Sequence, residues 1–252
     1  MTLQEFFENC RAQNIKVALA FSGGVDSSYL LYEGIKSGTD ITAFYAKSEF
    51  QPQFEFDDAM RLARQLNAKL QIIRLSVLED SVVCSNPGNR CYYCKRAIFG
   101  KILESAEAAG CGIVLDGTNA SDDISERPGF TALQEMKVCS PLRDAGLTKD
   151  EIRARSKEAG LFTWDKPAYA CLATRIKTGE LITKENLEAT EKAEGILFSE
   201  GFTDFRIRNE KGTGKIQLKK DQISVFLKHE NELLEKLKPY YKEIFLDREV
   251  TR

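Results

Sequence analysis

The segment Phe21-Ser22-Gly23-Gly24-Val25-Asp26-Ser27-Ser28 constrains this chain more than any other. It follows the apolar run Val17-Ala18-Leu19-Ala20-Phe21, which reads as a buried strand, and precedes Tyr29-Leu30-Leu31-Tyr32, which reads as the apolar side of a helix. A strand that turns tightly into a helix N-terminus is an anion-binding geometry. Adjacent glycines bring backbone N–H groups to an anion with no Cβ in the way, and the helix adds unpaired amides and its positive end. Ser22, Ser27 and Ser28 can donate hydroxyl hydrogen bonds to phosphate oxygens. Asp26 would repel phosphate, so its expected work is to orient the loop or to hold Mg²⁺. An ordinary β-turn-α connection is the plain alternative, since Gly-Gly turns are common.

The surrounding pattern decides the fold class. Strands are expected at 16–21, 40–46, 69–75 and 112–116, with helices at 3–13, 26–37, 53–67 and 94–109. Apolar strands alternating with amphipathic helices imply βαβ units, a parallel sheet and an α/β fold. Ligands of such sheets sit beyond the C-terminal strand ends. That rule singles out Ser22 to Ser28, Ser48-Glu49 and Asp116-Gly117. Residues 76–93 and 117–130 read as loops, the second carrying Asp122, Asp123, Glu126 and Arg127. Thr148 and Glu151 form a capping-box signal for a helix that ends near Gly160. Composition shifts after Arg175, where a helix (184–200), two strands (204–209, 214–218), a helix (220–237) and a short strand (242–246) are expected. Residues 1–175 therefore read as one domain and 176–252 as a smaller α+β domain.

A net charge of −2 argues against a generally nucleic-acid-coating surface. No apolar run is long enough to span a bilayer and no leader pattern opens the chain, so the expected location is the cytoplasm. Seven cysteines there read as thiols or metal ligands rather than a disulfide framework, and the single His229 nearly excludes histidine chemistry. Cys91-Tyr92-Tyr93-Cys94 can turn both sulfurs to one metal or cluster face, and fits zinc, an iron–sulfur cluster or a redox dithiol. Structural zinc needs four ligands, with Cys84, Cys171 or a distant cysteine available. Cys171 has Lys166, Arg175 and Lys177 nearby in sequence, a setting that favours thiolate; the alternative is a small buried apolar residue.

Ser22-Gly23-Gly24-Val25-Asp26-Ser27 lacks the lysine of the Walker pattern and the spacing of GxGxxG. It resembles the PP-loop of ATP pyrophosphatases, which cut ATP between its α- and β-phosphates. Further segments extend the likeness: Ser48-Glu49, Cys91 to Lys95, Leu115-Asp116-Gly117-Thr118-Asn119, Arg127-Pro128-Gly129, Ser140-Pro141-Leu142, Cys171-Leu172-Ala173-Thr174-Arg175 and Arg206-Ile207-Arg208. Together, over nearly the whole chain, they resemble the LarE family of ATP-dependent sulfur transferases. The resemblance implies that ATP and Mg²⁺ adenylate a carboxylate of a pyridinium-biscarboxylate mononucleotide. Sulfur then converts the acyl-adenylate to a thiocarboxylate for nickel-pincer nucleotide biosynthesis.

The same resemblance assigns residues. Ser22, Gly23, Gly24, Asp26, Ser27, Ser48, Lys95, Gly117 and Arg127 fall at the nucleotide. Arg175, Arg206 and Arg208 fall at the substrate phosphate, the last two alternating on one strand face. Glu194 matches a metal position. Cys91, Cys94 and Cys171 match a set of three ligands to a [4Fe–4S] cluster, which leaves one iron open for a transferable sulfide. Sacrifice of Cys171 alone is the other strategy the resemblance allows. A sulfide donor and a homo-oligomer are implied as partners. The chain departs from the pattern at Asn209-Glu210, where a histidine is common, and ends without a Gly-rich tail. The rival readings are ammonia-using synthetases, which need no cysteines, PP-loop thiolases acting on transfer RNA, a nucleotide sensor with structural zinc, and a Cys91–Cys94 redox switch.

Overall fold

The computed structural model describes residues 1–124 and 128–247. Two compact units emerge: Met1–Val77 with Asn89–Ala168, and Leu78–Gly88 with the chain from Tyr169 onward. The first unit begins α1 (Leu3–Ala12), β1 (Val17–Ala20), α2 (Val25–Lys36), β2 (Ile41–Lys47), α3 (Gln53–Gln65), β3 (Lys69–Arg74). The short helix α4 (Ser81–Cys84) belongs to the second unit. The first unit resumes with α5 (Arg90–Ala108), β4 (Ile113–Leu115), α6 (Pro128–Glu135), α7 (Pro141–Asp144) and α8 (Lys149–Glu158).

Its four strands form a parallel sheet in the order β3-β2-β1-β4, with Leu19 level with Ala43 and Leu115. Strands covered on both faces must be apolar on both, and Val17, Ala18 and Leu19 are all fully buried. Leu19, Ala43, Tyr45 and Leu115 share one core with Phe7 of α1, Leu30 and Leu31 of α2 and Ile152 of α8. Ala18, Phe44 and Val114 face the other way, against Ile102 and Ala106 of α5. The alternation follows from the two-residue side-chain period of a strand. Thr148 caps α8 as expected: Oγ1 accepts from the Glu151 amide, and the Glu151 carboxylate accepts the Thr148 amide at 2.8 Å. Thr148→Ala is expected to lower stability by about 1 kcal/mol, read as a lower denaturant midpoint at unchanged slope.

The second unit contains α9 (Lys184–Ser199), β5 (Arg206–Glu210), β6 (Thr213–Gln217), α10 (Lys220–Lys228), α11 (Glu230–Leu237) and β7 (Glu243–Leu246). Its sheet runs β5-β6-β7, antiparallel between the first two strands and parallel between the last two. The hairpin loop Lys211-Gly212 has positive φ at both residues, which a two-residue turn needs to match the strand twist. Ala193, Leu197, Phe205, Ile207, Ile216, Phe226 and Leu237 form the core.

The α/β fold with its smaller α+β partner stands, with three local differences. The second unit starts at Tyr169 rather than 176 and takes in residues 78–88. There the Gly179 amide donates to Asn86 O and the Ile182 amide to Cys84 O, both at 2.8 Å, tying the segment into that unit. Short helices occupy parts of both expected loops, and the helix expected over 220–237 breaks at His229. Among the described residues, no helix is long and apolar enough to cross a membrane.

Candidate functional site

β1 delivers the chain into the glycine turn, and α2 starts at Val25 with Gly24 as an N-cap that supplies no side-chain hydrogen bond. The first-turn amides of α2 are thus left without a side-chain cap, as an incoming anion requires. The serines shape the turn. Ser22 Oγ lies 3.0 Å from Ser27 Oγ and accepts the Gly24 amide at 3.3 Å. Ser27 Oγ accepts the Ser22 amide and donates to Gly24 O at 3.2 Å. Ser28 Oγ is buried and, among the described residues, has no hydrogen-bond partner. Gly23 adopts φ +75°, and a Cβ there would stand 2.8 Å from Ala59 Cβ on α3. A Cβ on Gly117, beyond β4, would stand 3.1 Å from the Ser27 amide nitrogen. Both glycines therefore hold their positions by close approach of backbone.

Asp26 is not a free carboxylate. Its Oδ2 pairs with Lys149 Nζ at the start of α8, and its Oδ1 accepts from Asn119 Nδ2 at 3.3 Å. The loop beyond β4 is tied from several sides. Asp116 accepts from Ser140 Oγ at 2.7 Å, Asp122 accepts the Asn119 amide at 3.0 Å, and Arg143 donates to Asn119 O and Asp122 O. Ser48, beyond β2, is buried and builds a local turn, its amide and hydroxyl both donating to Gln51 Oε1. The adjacent Glu49 carboxylate accepts from Ser76 Oγ and the Val77 amide. Arg127 and Glu126 lie outside the described residues.

α5 starts earlier than expected and takes in Cys91 as well as Cys94, which lie in its first turns, three residues apart and so on one helix face. Cys91 is exposed and Cys94 half-buried. α6 packs on this face: a Cβ on Gly129 would lie 3.3 Å from Lys95 Cγ and 3.7 Å from Cys91 Cβ. Tyr92 donates to Glu135 Oε2 at 2.6 Å and Arg96 pairs with the same carboxylate. The Lys95 ammonium lies 4.9 Å from the Phe99 ring centre.

In the second unit Cys171 precedes a single 3-10 turn, Leu172–Arg175, and its carbonyl accepts from the Thr174 amide and hydroxyl. Arg175 is 1% exposed. Its Nε donates to Glu194 Oε1 at 2.8 Å and its Nη2 to Glu194 Oε2 at 3.1 Å, while Nη1 donates to Ala170 O at 2.9 Å. Glu194, 2% exposed, also accepts from the Tyr169 hydroxyl and from the Ile207 amide at 2.9 Å. Burial works against the Arg175 charge, but the hydrogen bonds and charge of Glu194 outweigh it and hold the guanidinium above its ordinary pKa. Burial, then the Glu194 charge, pushes the Tyr169 phenol up. The expectation that Arg175 grips a substrate phosphate and Glu194 a metal thus meets a buried ion pair in which each satisfies the other. Arg206 and Arg208 do share the less buried face of β5, Ile207 and Asn209 facing inward. Arg208 donates to Thr174 O, holding the Cys171 turn, and to Gln217 Oε1.

No known family profile matches the chain. Individual proteins do. A pyridinium-3,5-bisthiocarboxylic acid mononucleotide synthase of Lactiplantibacillus plantarum is 35% identical over 214 residues, 84% of this chain and 78% of its own length. The chain belongs to the LarE family. A Synechocystis protein known only as uncharacterized is 34% identical over 84% of this chain and 80% of its own. The tRNA-specific 2-thiouridylase MnmA of a Thermotoga species is a more distant relative, 25% identical over 79% of this chain and 64% of its own.

In this LarE-family chain the structure gathers Ser22, Gly23, Gly24, Asp26, Ser27 and Gly117 at one turn, places Lys95 beside the Cys91–Cys94 face, and sets Cys171, Arg175, Glu194 and Arg208 around another turn. Cys91 and Cys94 belong to the first unit and Cys171 to the second. Among the described residues, no three His, Cys, Asp or Glu side chains are grouped to hold a metal ion. Sequence reasoning missed Lys149, Asn119 and Tyr169. Asn119 stood in a quoted motif, but nothing local marked Lys149 or Tyr169 as partners of Asp26 and Glu194.

Proposed function

We propose that this protein is an ATP-dependent sulfur transferase that converts a carboxylate of a pyridinium-biscarboxylate mononucleotide to a thiocarboxylate. The observation that carries the reading is the uncapped start of α2 behind a serine-braced glycine turn at the C-terminal edge of a parallel sheet. That geometry suits pyrophosphate, the group an AMP-forming enzyme must hold as it departs. The α2 amides and the Ser22 and Ser27 hydroxyls bind the β- and γ-phosphates. A carboxylate oxygen attacks the α-phosphorus, its bond to the bridging oxygen breaks, and pyrophosphate leaves with the electron pair. The acyl carbon, now bearing AMP as a good leaving group, is attacked by sulfur. Asp26 would offer a hard oxygen ligand to Mg²⁺ arriving with the nucleotide, and the cation would supply charge neutralisation for the leaving pyrophosphate.

Sulfur supply falls to Cys91, Cys94 and Cys171. A [4Fe–4S] cluster on these three rests on the family resemblance; the Cys91–Cys94 spacing by itself fits zinc or a redox dithiol equally. Among the described residues, no three such ligands are grouped. Iron and acid-labile sulfide, measured after anaerobic reconstitution, are expected at about four of each per chain and lost in Cys171→Ala. No iron in the parent protein would return Cys171 to a sacrificial role.

We further propose that the protein works in the cytoplasm, as a homo-oligomer taking a small nucleotide substrate and a sulfide donor. Pyrophosphate release measured with the biscarboxylate mononucleotide, and separately with unmodified transfer RNA, tests the reading. Release with the mononucleotide alone supports it. Release with transfer RNA alone would move the chain to the thiouridylase reading.

A further inference from the structure

The glycine turn has no lysine of its own: Val25, Asp26, Ser27 and Ser28 follow Gly24. Amides and hydroxyls donate hydrogen bonds to a triphosphate but bring no full positive charge, and Asp26 adds a negative one. The structure supplies the missing charge from elsewhere in the same unit. Lys149, the first residue of α8, reaches back across 123 positions of sequence to set Nζ 2.5 Å from Asp26 Oδ2. Both side chains keep a path to solvent, 31% and 20% exposed. The start of α8 is held in place: the Lys149 amide donates to Ser121 Oγ at 2.9 Å, and Asn119, whose amide side chain meets the other oxygen of Asp26, is fixed through Arg143 and Asp122.

We propose that Lys149 is the phosphate-binding lysine of this turn, parked on Asp26 until nucleotide arrives and then transferred to the pyrophosphate portion of ATP. The inference rests on the nucleotide reading above. Its physical logic is an exchange of partners. Without nucleotide, Asp26 and Lys149 neutralise each other at the mouth of the turn. ATP brings several negative charges into that space and a divalent cation that competes for Asp26, so the ammonium gains more from phosphate oxygens than from one carboxylate. A long flexible side chain anchored at a braced helix start can make that short move without moving the backbone. The pairing also explains how a turn carrying Asp26 tolerates an anion at all.

The distinguishing probes are MgATP, inorganic pyrophosphate and AMP, titrated calorimetrically into parent protein, Lys149→Ala and Lys149→Arg. AMP lacks the two phosphates that Lys149 is assigned. In Lys149→Ala, MgATP and pyrophosphate should bind roughly 10- to 100-fold more weakly, the worth of one charge-assisted hydrogen bond, while AMP changes by less than about twofold. Lys149→Arg, which keeps the charge, should recover most of the loss. A melting transition matching the parent shows that the variant folds. Unchanged MgATP affinity in Lys149→Ala, or AMP and ATP weakened in parallel, would overturn the assignment while leaving the nucleotide reading intact. A parent protein that binds neither MgATP nor pyrophosphate would overturn the nucleotide reading, and this assignment with it.

Discussion

An Arg175→Ala variant is expected to unfold about 3–5 kcal/mol more easily than the parent protein, because it strands Glu194 as a buried charge. Among the described residues Glu194 then keeps two donors, the Tyr169 hydroxyl and the Ile207 amide, in a site where it is 2% exposed. The double variant Arg175→Met with Glu194→Leu removes both charges together and should cost less than Arg175→Ala alone, since no uncompensated charge remains. Denaturant titration with intrinsic fluorescence reads both. A loss below about 1 kcal/mol for Arg175→Ala would mean that the pair behaves like a solvated surface bridge. The functional consequence is equally specific. Arg175 also binds Ala170 O, next to Cys171, so the residue positions the turn that carries Cys171. Sulfur transfer should be lost in the variant, while MgATP binding, proposed above for the first unit, should persist.

Gly23→Ala should abolish most nucleotide binding. Two costs add. An alanine at φ +75° pays about 1–2 kcal/mol of left-handed strain, and its Cβ would stand 2.8 Å from Ala59 Cβ and 3.0 Å from Ala59 Cα. The turn can relieve the overlap only by leaving α3, which moves the amides proposed to receive phosphate. MgATP affinity is expected to fall on the order of 100-fold, as roughly 3 kcal/mol of distortion would give. Ala59→Gly in the same chain removes the nearest contact but neither the φ strain nor the Ala59 backbone contacts, so it should restore only part. By contrast, a Cβ on Gly24 meets nothing closer than 3.4 Å, so Gly24→Ala should fold like the parent. Equal calorimetric affinities for Gly23→Ala and parent protein would remove the turn from nucleotide binding.

Features encoded locally were readable before the structure. The strand–Gly-Gly–helix passage, the Thr148–Glu151 capping box and the alternation of Arg206 and Arg208 each depend on residues a few positions apart. Features encoded by tertiary meeting were not. Arg175 and Glu194 are 19 residues apart and Asp26 and Lys149 are 123 apart. A carboxylate matched to a metal role and an arginine matched to a phosphate role look the same in sequence as a carboxylate and an arginine that bind each other. The start of α5 at Arg90 is not legible in sequence because Asn89 provides no side-chain cap and Pro87-Gly88 reads as continuing loop. α6 did carry a signal: Pro128 stands at its first helical position, where proline is favoured. The break at His229 has none, since the residue closes α10 and opens α11 within a continuous amphipathic pattern.

If the proposed chemistry holds, a substrate carboxylate, and not water or a nucleoside, attacks the α-phosphorus of ATP. Heavy-oxygen label placed in the carboxylates of the pyridinium-biscarboxylate mononucleotide reports on that bond. With sulfide and MgATP present, one labelled oxygen per turnover is expected in the phosphate of AMP, with pyrophosphate formed in equal amount and sulfur in the product. Unlabelled AMP, or ADP and phosphate in place of AMP and pyrophosphate, would contradict it.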